Sequence, residues 1–460
     1  MTSDNLLEKL FEKHKITSQE EKDKVIDIIK DKKDVEKIEK VILSFSDKLN
    51  LAEQIISVLP LYYDKSGLWW KWNSSEHKWE MVDEVDLMNY VTYSSPANTI
   101  NSKERNEIIQ GLKQKSRELK PKDAPNTWIQ FGDEVIDIET GDRFKASAEY
   151  FLTNPIPHKI GYSDETPNID RIFKEWVGDE WVLTLKQIIA YCMLRDYPIH
   201  RIFCFIGAGM NGKSKYLELL RTFIGNANCC STELDTLLTS RFEVTRLHKK
   251  LVCQMGETNF NEMNKTSQLK KLSGGDLIGF EYKNKNPFEE INYAKILIAT
   301  NNLPATNDKT IGFYRRWSII DFPNQFTEKK DILTEIPAIE YNNLANYCVS
   351  ILMDLLSNRS FNKEGSIEER TKKYEDHSNP LEKFLKEFTK EDYDGQIWKN
   401  DFSKKIKEWC REKRFREISD VEIGKKMKEL KISQIMKVLP WDITKKGRCW
   451  VGIDWKDNAE

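Results

Sequence analysis

One short stretch, FIGAGMNGKSKYL at residues 205–217, constrains the fold of this chain more than any other. It has the spacing GxxxxGK[ST], with Gly207, Gly212, Lys213 and Ser214 at the defining positions. Glycines let the backbone wrap tightly, so that several N–H groups converge on an anion. In this pattern the lysine reaches the β- and γ-phosphates of a nucleotide, and the hydroxyl group holds Mg²⁺. The stretch therefore predicts a phosphate-binding loop, or P-loop.

The sequence on either side has the strand–loop–helix order that a P-loop requires. RIFCFIG (201–207) is rich in aromatic and β-branched residues, which is typical of a buried strand. SKYLELLRTFIG (214–225) has apolar residues at helical spacing and ends at a glycine. We therefore predict ATP and Mg²⁺ as cofactors, with Ser214 as a metal ligand. The predicted nucleotide-binding residues are Gly207, Ala208, Gly209, Met210, Asn211, Gly212, Lys213 and Ser214.

Polar residues end two later apolar runs. KKLVCQMGETN (249–259) is apolar until Glu257, and AKILIATNNLP (294–304) is apolar until Asn301. Because alternating strands and helices around a P-loop imply a parallel α/β sheet, both residues come to the strands' carboxyl ends, beside the nucleotide. Glu257 is expected to bind Mg²⁺ through water or to polarise the attacking water. The amide of Asn301 is expected to hold that water.

A double arginine precedes a further apolar run in GFYRRWSIIDF (312–322). Either Arg315 or Arg316 is expected to act as an arginine finger, a guanidinium that a neighbouring subunit delivers to the γ-phosphate.

A predicted hairpin carries the sequence KNKN at its tip, residues 283–286. In an ATPase ring, Lys283 and Lys285 would point into the central pore and bind the phosphates of DNA. The alternative interpretation is an exposed turn with ordinary solvated lysines.

Composition and patterning divide the chain into six segments. The aromatic residues of the second segment, as in LYYDKSGLWWKWN, favour a core over a surface that stacks bases. The predicted segments are a Lys/Glu-rich helical appendage at 1–58, a small β-rich α+β domain at 59–168, a helical connection at 169–195, the α/β P-loop domain at 196–360, a linker at 361–380 and a basic module at 381–460.

Composition excludes several classes of protein. The 460 residues are 39% hydrophobic and 32% charged, and no apolar run is long enough to span a membrane. The eight cysteines form no CxxC pair, so a zinc site is not expected and a reducing, cytoplasmic compartment is. The net charge is −2, but residues 399–456 hold 17 Lys/Arg against 9 Asp/Glu, a local excess of +8. This excess of positive charge favours the interpretation that the basic module contacts DNA. The alternative interpretation is that these charges only form a solvated surface.

The motifs GAGMNGKS, ETN, KKLSGGD, ILIATNNLP and YRRWSIIDF together resemble the motif series of superfamily 3 helicases. The greatest similarity is to the helicase half of phage, plasmid and poxvirus-type primase–helicases, over residues 60–455.

This resemblance implies an AAA+-like motor, a winged-helix-like tail and a homohexameric ring that unwinds DNA in the replication of a virus, plasmid or other mobile element. Tracking in this family is usually 3′→5′. The implied partners are single-stranded and forked DNA and a separate primase or polymerase. The residues implied to act in catalysis are Lys213, Glu257, Asn301, Arg315 and Arg316, those implied to hold Mg²⁺ are Ser214 and Glu257, and those implied to bind DNA are Lys283 and Lys285.

The sequence departs from the family pattern in two respects. Glu257 is followed by Thr258, where many superfamily 3 members have two adjacent acids. One carboxylate must therefore bind Mg²⁺, activate water, or do both. Residues 1–58 are too few for a primase–polymerase domain, so priming is expected to be absent or supplied by another protein.

Two other functions fit part of the pattern. In a DNA-binding initiator or loader, ATP drives assembly instead of translocation, and strand displacement would distinguish it from a helicase. A function as a P-loop kinase that acts on a small substrate would not explain Asn301, the double arginine or the basic tail.

Overall fold

The computed structural model describes residues 48–93, 100–207, 209–256, 262–263, 265–327, 331–412, 415, 418–439 and 442–456. Of the predicted appendage at 1–58, residues 1–47 lie outside this description. Within the described ranges, no helix combines the length and the apolar content needed to cross a membrane.

The described residues of the N-terminal part form three helices and two small antiparallel sheets, ordered β1-β2-β3 and β4-β5-β6. The helices are α1 (Lys48–Val58), α2 (Glu84–Tyr93) and α3 (Ser102–Ser116), and the strands are β1 (Leu61–Tyr63), β2 (Trp69–Asn73), β3 (Lys78–Val82), β4 (Trp128–Phe131), β5 (Glu134–Asp137) and β6 (Arg143–Lys145). The segment predicted as a β-rich α+β domain does contain both helices and strands, and its strands are short.

Tryptophans form much of the core of this part. Trp69, Trp70, Trp72 and Trp79 are all buried. Trp72 and Trp79 are cross-strand partners, and their ring centroids are 6.0 Å apart. The interpretation of the aromatic run as core is confirmed, because buried rings cannot stack on bases.

Helix α1 packs closely on α3. A Cβ at Gly111 would lie 2.9 Å from the carbonyl oxygen of Lys48, so the two helix backbones approach to a distance that favours glycine. Leu51 and Ile55 are buried in the same cluster as Leu112. The end of the predicted appendage is therefore part of the N-terminal core.

Two helices, α4 (Pro167–Val177) and α5 (Val182–Cys192), connect this part to the central sheet. The carboxylate of Glu340 accepts hydrogen bonds from the backbone N–H groups of Asn168 at 3.0 Å and Ile169 at 3.1 Å. These are among the first N–H groups of α4, which lack intrahelical partners, and a negative charge there is favourable.

The central sheet has five parallel strands in the order β15-β7-β13-β9-β8. The strands are β7 (Ile202–Ile206), β8 (Cys229–Ser231), β9 (Val252–Met255), β13 (Lys295–Thr300) and β15 (Trp317–Asp321). β7, β9 and β13 are buried throughout, as expected for a parallel sheet covered on both faces. The predicted parallel α/β sheet is confirmed.

Smaller elements surround the sheet. They are α6 (Lys213–Ile224), α7 (Leu234–Thr239), β10 (Glu262–Met263), α8 (Thr266–Leu272), β11 (Leu277–Phe280), β12 (Phe288–Ile291), β14 (Ala305–Thr306) and α9 (Ile311–Tyr314). β11 and β12 pair antiparallel, which confirms the predicted hairpin, and β10 pairs with β14.

The segment predicted as a linker, 361–380, contains a helix. The long helix α10 (Ala338–Asn358) is followed by α11 (Ile367–Ser378). Tyr374 of α11 is buried, and its hydroxyl donates to the carbonyl oxygen of Pro304 at 2.8 Å. The segment is thus packed on the part of the chain that forms the central sheet. The sequence of segment 361–380 is strongly polar apart from residues such as Tyr374, so only the tertiary contacts show that the segment packs there.

The C-terminal part has the element order helix, strand, helix, helix, strand, strand, with the sheet order β16-β18-β17. Its elements are α12 (Pro380–Phe388), β16 (Thr389–Trp398), α13 (Lys399–Glu412), α14 (Asp420–Glu429), β17 (Ser433–Leu439) and β18 (Asp442–Trp455). Its core includes Phe384, Phe402, Trp409 and Trp450.

Candidate functional site

The glycine-rich motif forms the loop between β7 and α6. Gly212 is the residue before the helix, and its φ of 93° is in the left-handed region that favours glycine. A Cβ at this position would lie 2.5 Å from Cδ1 of Trp176. Both the backbone conformation and the space beside Trp176 therefore require a residue without a side chain. Ala208 lies outside the described residues.

The side chain of Asn211 folds back over the start of the loop. A Cβ at Gly207 would lie only 1.7 Å from its Nδ2 atom. The same Nδ2 donates to the carbonyl oxygen of Phe322 at 3.2 Å. Farther along, the backbone N–H of Phe326 donates to the carbonyl oxygen of Met210 at 2.7 Å. The loop is therefore attached to the segment that follows β15.

Lys213 is the centre of the site. Its Nζ donates to the carbonyl oxygen of Gly207 at 2.6 Å, to Oδ1 of Asn211 at 3.1 Å and to Oδ1 of Asn301 at 3.3 Å. The side chain is buried, with 7% of the residue exposed. Its ammonium group is thus fixed between the glycine-rich loop and the end of β13, so the structure brings Lys213 and Asn301 together.

The start of α6 has the donors that a phosphate group requires. Since Gly212 has no side chain, it cannot cap the first N–H groups of the helix, which point out along the axis. N–H groups at a helix N-terminus beside an ammonium group, such as that of Lys213, suit a bound anion. Ser214, the next residue, is exposed, so its hydroxyl is accessible. These N–H and ammonium donors fit the phosphates of a nucleoside triphosphate, and the hydroxyl group of Ser214 fits Mg²⁺.

The predicted carboxylate, Glu257, lies outside the described residues, as does Thr258. β9 ends two residues earlier, at Met255. Glu262 begins β10. In the part of the chain that the structure describes, no group of three His, Cys, Asp or Glu side chains is placed to hold a metal ion.

The two predicted arginines differ in their surroundings. Arg316 is buried, and its Nη atoms donate to the carbonyl oxygens of Gly312 and Lys270. Burial, together with the neighbouring Arg315, lowers the pKa of Arg316. Arg315 is exposed. Arg316 therefore binds its own chain, whereas Arg315 is accessible to another molecule.

The hairpin tip carries Lys283 and Lys285, both exposed. Beside them, the backbone N–H of Asn286 donates to the carbonyl oxygen of Ser66 at 3.2 Å. A Cβ at Gly67 would lie 3.6 Å from Cδ of Lys285. The tip therefore touches the loop between β1 and β2 of the N-terminal part.

An aromatic cluster holds the hairpin in this position. The ring of His248 lies 5.0 Å from that of Phe288 on the hairpin and 6.1 Å from that of Trp70 on β2. The Nδ1 atom of His248 lies 2.9 Å from the hydroxyl of Tyr282. Burial lowers the pKa of His248, which favours the neutral ring in this setting.

Sequence reasoning missed several residues that shape the site. It gave no role to Trp176 behind Gly212, or to Phe322, whose carbonyl oxygen binds Asn211. Trp176 has no local signal, since it is one apolar residue on the buried face of α4. The asparagine at 211 was included only as a member of the loop, although its amide contacts both Gly207 and Lys213.

Comparison with known proteins gives two family matches. Residues 59–182 match the family described as "D5 N terminal like", and residues 205–316 match a family of unknown function, DUF5906. One curated relative, "Putative helicase L207/L206" of Acanthamoeba polyphaga mimivirus, is 26% identical over 228 residues. That match spans 46% of this chain and 23% of the length of the relative.

The resemblance to primase–helicase-type superfamily 3 helicases is confirmed. Among solved structures, this helicase-like chain is similar to two apo structures titled as the C-terminal region of NrS-1, both at 15% identity. They have TM-scores of 0.48 and 0.47, and the matches cover 88% of this chain and 99% and 100% of those chains.

Proposed function

We propose that this chain is an ATP-dependent DNA helicase that acts in the replication of a virus, plasmid or other mobile element. The observation that carries the proposal is the position of Lys213, whose ammonium group contacts both the glycine-rich loop and Asn301 at the carboxyl edge of the parallel sheet. In open α/β sheets this edge is where ligands bind. The family matches and the mimivirus relative support a helicase over other P-loop functions.

In this proposal each polar residue of the site has a defined role, and Glu257 has two. Lys213 and the first N–H groups of α6 bind the β- and γ-phosphates of ATP, and Ser214 with Glu257 holds Mg²⁺, which neutralises charge on the phosphates. Glu257 accepts a proton from the attacking water. Asn301 orients that water, because its amide oxygen already lies within hydrogen-bond distance of Lys213.

We further propose a homohexameric ring with an AAA+-like motor in each subunit. Arg315 is the arginine finger that reaches the nucleotide of the adjacent subunit, because it is exposed while Arg316 binds carbonyl oxygens of its own chain. An arginine supplied in trans stabilises the charge that develops on the transferred phosphoryl group.

DNA would be held at two places. Lys283 and Lys285 on the hairpin bind the backbone of single-stranded DNA in the ring pore. The C-terminal part acts as a winged-helix-like module, which its order of helices and strands supports. Residues 399–456 of this part carry a net charge of +8, which suits DNA as a partner in the cytoplasm of the host cell. A separate primase or polymerase would supply priming.

Replacement of the central lysine tests the proposal. Lys213→Ala should abolish ATP hydrolysis and unwinding of forked DNA without unfolding the protein. Lys215→Ala is the matched control, because Lys215 contacts Glu218 and Asp331 on the outside of α6 and should retain both activities. Normal ATP turnover by Lys213→Ala, at an unchanged oligomeric state, would exclude this site as the ATPase centre.

The alternative function is a replication initiator or loader that uses ATP for assembly without processive unwinding. The same assay separates the two functions. A protein that hydrolyses ATP and binds forked DNA, but displaces no strand at any protein concentration, is an initiator or loader.

A further inference from the structure

The C-terminal part contains a groove of about 660 Å³ between α14 and the antiparallel ribbon of β17 and β18. Four basic residues line it, and one acidic residue, Asp420, does so. The basic residues are Lys399, Lys428, Lys431 and Arg448.

Positive charge comes from both walls of the groove. Lys428 is on α14, Lys431 follows that helix, and Arg448 is on β18. All three side chains are exposed. The carboxylate of Asp420 accepts a hydrogen bond from Lys407 at 2.8 Å, so its charge is balanced from outside the groove. The groove therefore attracts anions.

The distribution of charge along the chain favours a polyanion. Residues 399–456 carry +8, while the whole chain carries −2, so the remaining residues together carry −10. A surface that opposes the sign of the rest of the protein is typical of nucleic-acid contact.

The side chains that line the groove favour binding of a double helix over binding of a single strand. Single-strand sites stack bases on exposed aromatic rings. Among the described residues that line this groove, the aromatic one is Trp450, which is 2% exposed, and the ammonium of Lys399 lies 5.6 Å from its ring centroid. The described lining thus offers charge for phosphates without an exposed ring for unpaired bases.

The wall of the groove that α14 forms leaves room for a ligand to come close to the helix backbone. Gly424 lies on the groove face of α14, and a Cβ added there would meet nothing within 4 Å. Glycine inside a helix costs about 1 kcal/mol relative to alanine. Packing does not require a glycine here, and the helix backbone is accessible on this face. An α-helix or a two-stranded ribbon also fits the major groove of DNA, which is about 12 Å wide.

We propose that this groove binds the sugar–phosphate backbone of duplex DNA, with Lys428 and Lys431 on one wall and Arg448 on the other. The contact needs no nucleotide and is separate from the single-stranded DNA of the motor. This role rests on the proposed function, in which the groove would hold the unreplicated duplex ahead of the ring.

The test uses the full chain without ATP. Binding of a blunt DNA duplex of about two helical turns is measured by fluorescence anisotropy at several salt concentrations. The groove variant is Lys428→Ala/Arg448→Ala, which removes one charge from each wall. The matched control is Lys386→Ala/Lys404→Ala, two exposed lysines of the same module outside the groove.

We expect the groove variant to lose duplex affinity and the control to keep it. Each lost phosphate contact should make the fall of log K with log salt less steep by about 0.9. For two contacts, this corresponds to a loss of duplex affinity of roughly 50-fold at about 0.1 M salt. Affinity for single-stranded DNA and basal ATPase activity should stay unchanged. Measuring duplex binding also in Lys213→Ala keeps this result independent of the ATPase.

Three results would overturn the proposal. If the groove variant and the control bound the duplex equally well, the positive charge of the module would attract DNA without a specific site in the groove. The groove variant could lose single-stranded and duplex binding to the same degree, which would make the groove a single-strand track. Equal affinity of the wild type for duplex RNA would contradict a DNA site.

Discussion

The side-chain oxygen of Asn301 lies 3.3 Å from the ammonium nitrogen of Lys213, 88 residues earlier in the chain. The two residues meet because β13 and β7 are adjacent parallel strands, with Thr300 paired to Ile206. Parallel pairing carries the carboxyl ends of both strands to one edge of the sheet. A residue that follows β13 therefore faces the loop that follows β7.

Replacement of Asn301 should slow hydrolysis more than it weakens nucleotide binding. We expect Asn301→Ala to lower kcat for ATP on the order of 100-fold, the typical effect of losing one positioned polar group. Affinity for a fluorescent ATP analogue should change only a few-fold. Asn346→Ala is the control, since its amide contacts Asp164 and not the loop. An equal loss of binding and turnover would show that Asn301 only supports the loop.

Glu257→Gln should bind ATP but fail to hydrolyse it. The amide keeps the shape of the side chain, but it neither accepts a proton nor carries the negative charge. Single-turnover hydrolysis and nucleotide binding, measured on the same preparation, separate the two effects. If hydrolysis survives near the wild-type rate, another carboxylate is responsible, and Glu262→Gln is the next variant to measure.

The two arginines should give different phenotypes. Arg315→Ala should lose ATPase activity at unchanged stability, because the side chain is exposed. Arg316→Ala should lower the melting temperature, because its guanidinium binds two carbonyl oxygens in a buried position.

Mixed rings test whether Arg315 acts across an interface. Combining Arg315→Ala with Lys213→Ala subunits should restore part of the activity, since some sites then keep both the lysine and the arginine. Confirmed mixed rings that stay inactive at every ratio would argue against a shared site.

The hairpin lysines should couple hydrolysis to movement along DNA. We expect Lys283→Ala/Lys285→Ala to lose unwinding of a fork and to bind single-stranded DNA with a salt slope that is less steep by about 1.4, or about 0.7 for each lost phosphate contact. Basal ATPase activity should remain, because Lys213 and Asn301 are unchanged. Lys103→Ala/Lys372→Ala, another pair of exposed lysines, is the control. Normal unwinding by the hairpin variant would mean that the tip is only a solvated turn.

Asp308 should make folding stability depend on pH in the acid range. Burial alone would raise the pKa of this carboxyl, but hydrogen bonds from Lys270 at 2.8 Å and Thr266 at 2.6 Å, together with Thr310, hold its pKa well below the usual range. A lowered pKa in the folded state contributes stability above the unfolded pKa of about 3.9, and that stability is lost as the pH falls below it.

Asp308→Asn should therefore destabilise the protein by about 2 kcal/mol near pH 7. In thermal melts from about pH 7 to pH 3, the variant should lose less stability on acidification than the wild type does. Parallel curves for the two proteins would show that Asp308 is not linked to acid unfolding.

Much of the central sheet and its glycine-rich loop could be predicted from the local sequence. The apolar runs of β7 and β13 are long and bounded by polar residues, and the glycines at 207 and 212 have fixed spacing. Such patterns depend on neighbours within one element, so one sequence reveals them. The hairpin of β11 and β12 and the core role of the tryptophans were predictable for the same reason.

What the sequence determined by itself is the set of elements around the P-loop motif and the residue types that face the carboxyl edge of the sheet. Only the tertiary structure decided that Arg316 is buried and Arg315 exposed, that Trp176 excludes a side chain at Gly212, and that the polar segment 361–380 contains a helix packed on the P-loop domain. It also gathered Lys428, Lys431 and Arg448 around one groove. Burial and long-range contact depend on how distant elements pack, and one sequence carries no local signal for that packing.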